Sequence, residues 1–169
     1  FSTACYIAAA LLLYRWVLIE YESKTAIWSV IWLCAFPMAF FFVSFYAESL
    51  YLLTCIASLY FARKGRFVYS GMAAALAGAA RPSAFLLAIP FFIEFWLQRN
   101  FNRIQFARLI AGGVIAPLGT LSYLVYLVLN NPGASGLDIY YSVQASEWYR
   151  SITWPWVTLY DGFRAALFG

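Results

Sequence analysis

Long apolar runs broken by short basic clusters set the rhythm of this chain. Ala26 to Ala47 and Leu109 to Leu129 contain no charged residue, and a helix of about 20 residues crosses a hydrocarbon core of roughly 30 Å. The pattern predicts an all-α, polytopic integral membrane protein. Two segments are shorter. Between the basic clusters at 63–66 and 99–108 lie Phe67 to Gln98, 32 residues that must go out and return, leaving about 16 for each limb. Arg81 precedes Pro82, which disfavours helical geometry at Arg81 and ends the first limb there. Pro82 itself suits the first turn of the returning limb. A short, broken helical hairpin with an arginine at its tip is expected.

Composition strengthens the membrane reading. Hydrophobic residues make up 64% of the 169, charged residues 11%, and mean hydropathy is +0.76, against about half apolar and a quarter charged in ordinary soluble domains. Trp and Tyr crowd the ends of the apolar runs, as side chains that settle at lipid headgroups do. Phe1 stands where an initiator methionine would, and Val157 to Phe168 reads as the start of a further amphipathic or spanning segment. The expectation is a piece, cut at both ends, of a single multi-pass transmembrane domain covering 1–169.

Lys and Arg concentrate in loops that stay cytoplasmic. Arg63, Lys64 and Arg66 form one such loop and Arg99, Arg103 and Arg108 another, with Arg15 and Lys24 flanking a more mixed turn. Tyr46-Ala47-Glu48-Ser49, Arg81-Pro82-Ser83 and a long segment of about 130–156 then face outward together. Backbone freed at membrane depth is tolerated only where protein buries it or where it lines a wet cavity. The returning limb offers unpaired N–H groups at Pro82 to Phe85, and Arg81 adds a two-pronged donor that stays protonated, so the tip favours a phosphate. Glu48 is the nearest outward acid. The plainer alternative is that Glu48 and Arg81 simply pair with each other or reach the headgroups.

Other features carry less chemistry. The small residues from Ser70 to Ala80 let helices approach closely. Cys5, Cys34 and Cys55 sit singly in apolar runs and behave as small hydrophobes. Histidine is absent, there is no glycine-rich phosphate loop, and no divalent metal or other cofactor is called for. The charge of +4 is accounted for by cytoplasmic loops, without nucleic acid. In the outward segment, Asp138, Tyr140, Tyr141, Gln144, Glu147, Trp148, Tyr149, Arg150, Trp154 and Trp156 suit sugar recognition, and equally an interfacial helix.

The order of these motifs resembles a known family. Phe36-Pro37, Phe45-Tyr46-Ala47-Glu48-Ser49-Leu50, Ala62-Arg63-Lys64-Gly65-Arg66 and Ala80-Arg81-Pro82-Ser83 are similar to the PIG-V-like mannosyltransferases, the family of glycosylphosphatidylinositol mannosyltransferase two and its bacterial relatives. Gln144, Trp148, Arg150 and Trp154-Pro155-Trp156 follow the spacing of bacterial members. Where relatives often carry glycine after the Arg-Pro pair, this chain has Ser83-Ala84.

The resemblance implies a C-type glycosyltransferase fold in a bacterial plasma membrane. There a polyprenyl-phosphate mannose meets a glycan or lipid acceptor in an outward cavity. It implies Glu48, Arg81, Tyr46, Ser49 and Ser83 around the donor phosphate, and Gln144, Trp148, Arg150, Trp154 and Trp156 along the substrate. The catalytic acid of that family lies in a first outward loop, expected upstream of Phe1. The competing classes are a multi-pass transporter, against which no repeated half is visible, and a non-catalytic membrane subunit.

Overall fold

In the computed structural model, every element among the described residues is helical. The structure describes residues 1–37, 39–43, 47–98, 102–131, 135–148 and 155–168, with the side chains of Gln98, Val143, Gln144, Glu147, Trp148, Pro155, Ala166 and Phe168 set aside. The α-helices are α1 (Ser2–Val17), α2 (Ser23–Ala35), α3 (Glu48–Arg63), α4 (Phe67–Ala80), α5 (Ala88–Gln98), α6 (Arg103–Ile115), α7 (Leu118–Asn130), α8 (Gly136–Trp148) and α9 (Pro155–Phe168). Two 3-10 segments, Ala39–Phe42 and Pro82–Leu87, punctuate them. The chain forms two compact units, Phe1–Tyr123 and Leu124–Gly169, each described by itself.

Helix directions in the first unit follow from who touches whom. The Tyr6 hydroxyl near the start of α1 donates to the Leu33 carbonyl near the end of α2 at 3.3 Å, so α1 and α2 are antiparallel. Tyr6 also stacks on Phe42, ahead of α3, with centroids 5.4 Å apart. At the other end Glu20, just past α1, pairs with Arg63 in the last turn of α3. Thus α1 and α3 run parallel. Between α3 and α4, Ser58 and Ser70 hydroxyls lie 3.1 Å apart, and Ser70 Oγ donates to the Ser58 carbonyl at 2.8 Å. Both serines are buried, and each buried hydroxyl has found a partner, as it must.

The small residues of α4 do what their size permits. A Cβ on Gly71 would meet the Gly112 carbonyl oxygen, one on Gly78 would come 2.7 Å from Thr120 Oγ1, and one on Gly119 would meet the Ala75 carbonyl. Rising numbers face rising numbers, so α4 and the α6–α7 rod are parallel, with the returning α5 closing the triad. Phe67, Phe91, Phe95 and Leu109 form the core cluster between these helices. Phe67 meets Phe91 and Phe95 edge-on, with centroids 5.4 and 5.6 Å apart, the geometry that ring quadrupoles favour.

The turn from α3 to α4 is set by Gly65, whose φ of 67° is cheap only without a Cβ. Arg66 N–H reaches the Phe61 carbonyl at 2.8 Å and Gly65 N–H the Ala62 carbonyl at 2.9 Å, the paired bonds of a Schellman cap. A Gly65→Ala change is expected to cost about 1–2 kcal/mol and to lower the melting temperature by about 2–8 °C. An unchanged melting point would show that the turn relaxes freely.

One expected span is corrected. Ala26 to Ala47 does not form a single crossing helix, because α2 stops at Ala35 and Phe36 is extended, with φ −61° and ψ 131°. Pro37 is the reason: its ring disfavours helical geometry at the residue before it. By length and composition, one helix among the described residues, Arg103–Asn130, is apolar and long enough to cross a membrane, while Ser2–Val17, Phe67–Ala80 and Pro82–Leu97 are apolar and shorter. In the second unit, Ser135 stands just before α8. Its hydroxyl accepts from Asp138 N–H at 3.2 Å and donates to Asp138 Oδ2 at 2.5 Å, satisfying two groups at a helix start.

Candidate functional site

Arg81 sits where α4 ends. Its backbone is extended, with φ −148° and ψ 126°, the conformation Pro82 imposes on its predecessor. Its N–H still closes the last turn onto the Ala77 carbonyl at 2.8 Å. The side chain therefore leaves the helix end sideways, toward the start of α3. There Glu48 occupies the first helical turn, a position that favours an acid because the helix dipole is positive.

The two side chains meet, Arg81 Nη2 against Glu48 Oε1. One turn along α3, the Tyr51 ring lies under the guanidinium, with Cζ 5.8 Å from the centroid. The Tyr51 hydroxyl is 3.5 Å from Ser83 Oγ. Acid, aromatic ring, guanidinium and hydroxyl thus form one cluster across the α3 start and the hairpin break. The Arg81 side chain stays 49% exposed and Glu48 24%. A guanidinium has five N–H donors in a planar fork, so Arg81 keeps donors for an incoming anion while Glu48 restrains its direction.

The helix-end donors expected after Arg81 are fewer than the sequence promised. The returning limb opens as a 3-10 segment of six residues, and Ala84 N–H is spent on the Arg81 carbonyl at 3.0 Å. The guanidinium, not a helix dipole, supplies the positive charge. Ser49 is fully buried, and its hydroxyl donates to the Phe42 carbonyl, tying the first 3-10 segment to α3. Ser83 is exposed beside the cluster.

Tyr46, Arg150 and Trp154 lie outside the described residues. Gln144 and Trp148 fall in α8, but their side chains also lie outside what is described. Trp156 is the second residue of α9 and is exposed. These last residues belong to the second unit, with Glu48 and Arg81 in the first.

Sequence reading missed Tyr51, although its place three residues after Glu48 puts both on one helix face. It also missed a second ionic cluster. Arg63, in the last turn of α3, pairs with Glu20 and with Glu94 of α5, the latter at 2.9 Å. Glu94 was the signal, as the single charge within the apolar returning limb. The hairpin from α4 to α5 is therefore pinned to α3 at both ends, by Glu48–Arg81 at one and Arg63–Glu94 at the other.

Fold and site define an all-helical bundle with an arginine–glutamate–tyrosine cluster at the break of a short hairpin. No protein-family model, no curated protein and no solved structure matches the chain.

Proposed function

We propose that this chain is part of a multi-pass membrane glycosyltransferase, a mannosyltransferase that takes its sugar from a polyprenyl-phosphate donor on the outer face. The observation that carries the reading is Arg81: it is held extended at the hairpin break, directed by Glu48 and Tyr51, and half-exposed. Such a group can receive the phosphate that departs as the sugar is transferred, where charge stabilisation matters most. The order of Tyr-x-Glu-Ser, Arg-Lys-Gly-Arg and Arg-Pro motifs gives the family its support. The carboxylate that removes the acceptor proton belongs, in this reading, to a loop preceding Phe1.

The membrane half of the proposal rests on the exterior. Ile7, Leu11, Ile31, Trp32, Leu76, Ile89, Phe92, Trp96, Ile110 and Val114 are all exposed, an apolar coat far beyond the isolated patches of a soluble surface. Charge distribution supports the orientation. Arg15, Lys24, Arg63, Lys64 and Arg66 share one end of the first unit with the α6 start, and Glu48 and Arg81 occupy the other.

Transfer is tested with the full-length protein in membranes, supplied with radiolabelled polyprenyl-phosphate mannose. Label must pass to acceptor only when the protein is present. Topology is tested with cysteines at exposed positions 47, 64 and 103 and a membrane-impermeant thiol reagent. Residue 47 should react from outside intact cells, and residues 64 and 103 only after permeabilisation. Reaction of residue 64 from outside would overturn the outward placement of Arg81.

A further inference from the structure

The end of the first unit opposite Arg81 holds a second cationic feature that the proposed reaction does not use. A cavity of about 400 Å³ is lined by Arg66, Phe67, Val68 and Tyr69, the start of α4, and by Arg108 from α6. Arg63 and Arg81 are engaged by carboxylates. Arg66 and Arg108 have no ion pair among the described residues. Glu20 and Glu94, acids at the same end of the unit, are turned to Arg63. Two exposed guanidiniums from two helices thus converge on one opening with their charge unneutralised.

The local backbone adds to this without carrying it. Among the described residues no side chain caps the start of α4, and Ser70 is the first residue of the helix whose N–H finds a carbonyl there, that of Arg66 at 3.0 Å. The cavity wall from Phe67 to Tyr69 therefore offers N–H groups to the same anion. The rim decides what kind of anion. Tyr69 lines the cavity, Ile104 stands one turn before Arg108 on the same face of α6, and both are more than half exposed. A free phosphate gains nothing from such a rim, whereas a lipid phosphate brings acyl chains that cover it.

We infer that Arg66 and Arg108 form a binding site for the phosphate of an anionic phospholipid in the cytoplasmic leaflet, distinct from the donor site at Arg81. Basic pockets between membrane helices on this side hold anionic headgroups through charge-assisted hydrogen bonds. The inference rests on the membrane half of the proposed function and is independent of the sugar-transfer half.

The test uses full-length protein in detergent, titrated with phosphatidylglycerol or phosphatidylcholine and read by native mass spectrometry. Phosphatidylglycerol should bind more tightly to wild type, and an R66Q/R108Q variant should bind it at least about ten-fold more weakly, the least expected from losing one charge-assisted hydrogen bond. The R66K/R108K variant keeps both charges and should fall between the two, which separates loss of the site from loss of the fold. Equal binding of the two lipids by wild type, or undiminished phosphatidylglycerol binding by R66Q/R108Q, would overturn the site. Displacement of the lipid by millimolar inorganic phosphate would overturn the lipid in favour of a soluble phosphate. Release of the protein from membranes by alkaline carbonate alone would remove the membrane reading and this site with it, whereas absent mannose transfer would leave the lipid result standing.

Discussion

In the proposed reaction, mannose transfer by an Arg81→Ala variant is expected to fall roughly ten- to a hundred-fold at equal expression, the loss that follows when a charge-assisted hydrogen bond worth about 1.5–3 kcal/mol acts mainly in the transition state. Arg81→Lys retains the charge and loses the planar fork, so it falls less far but does not recover wild-type transfer. Stability should hardly change. The pair with Glu48 is substantially exposed, and such pairs contribute about 0–1 kcal/mol. In the proposed reading Glu48 acts through Arg81, so Glu48→Ala should cost transfer in the wild-type background and add little once Arg81 is alanine, the non-additivity of a coupled pair. Near wild-type transfer by well-expressed Arg81→Ala would return Arg81 to the role of a headgroup anchor. Additive losses would give Glu48 its own contact with substrate.

Gly112→Leu should be among the most damaging single changes to the fold. Its Cβ would meet the Phe67 carbonyl, with the Phe67 carbonyl carbon and the Phe91 ring edge each 2.9 Å away. Backbone cannot swing aside as a side chain can. Overpacking costs about 1–3 kcal/mol, and this site belongs at or above the upper limit, lowering the melting temperature by roughly 6–12 °C. The neighbouring Gly113 provides the comparison, because a Cβ there has no atom within 4 Å. Gly113→Leu should leave the melting temperature within a degree or two of wild type, about the span of a neutral surface change. Equal effects at 112 and 113 would mean that α4 and α6 do not approach as closely as their glycines allow.

What could be read from the residues was what depends on neighbours along the chain. The end of α4 at Ala80 and the extended Arg81 follow from Pro82. The tight approach of α4 follows from glycine and alanine, and the turn at Gly65 from its missing Cβ. Pro37 carried the same information as Pro82, but the surrounding run from Ala26 to Ala47 is so uniformly apolar that composition outweighed the break. What could not be read was pairing across the chain. Glu48 and Arg81 were both singled out, yet the sequence left open whether they meet. Arg63 finds Glu94 31 residues away, and Tyr51 enters the site only because α3 places it under an arginine from another helix.

The two ion pairs that pin the hairpin to α3 also bear on how such a chain is assembled. α3 is synthesised first, and in a bilayer its Arg63 can wait at the aqueous edge with Glu20 as company. Glu94 meets Arg63 near that same edge, on an apolar limb whose exposed neighbours Ile93 and Trp96 face lipid in the membrane reading. A lone acid there costs less than the roughly 2.5–3.5 kcal/mol of a charge at the helix centre, and pairing with Arg63 lowers what remains. α5 therefore gains by entering the membrane with α3 still beside the translocon, and the order of synthesis, an arginine before its acid, favours that meeting. The hairpin is placed by a partner that precedes it.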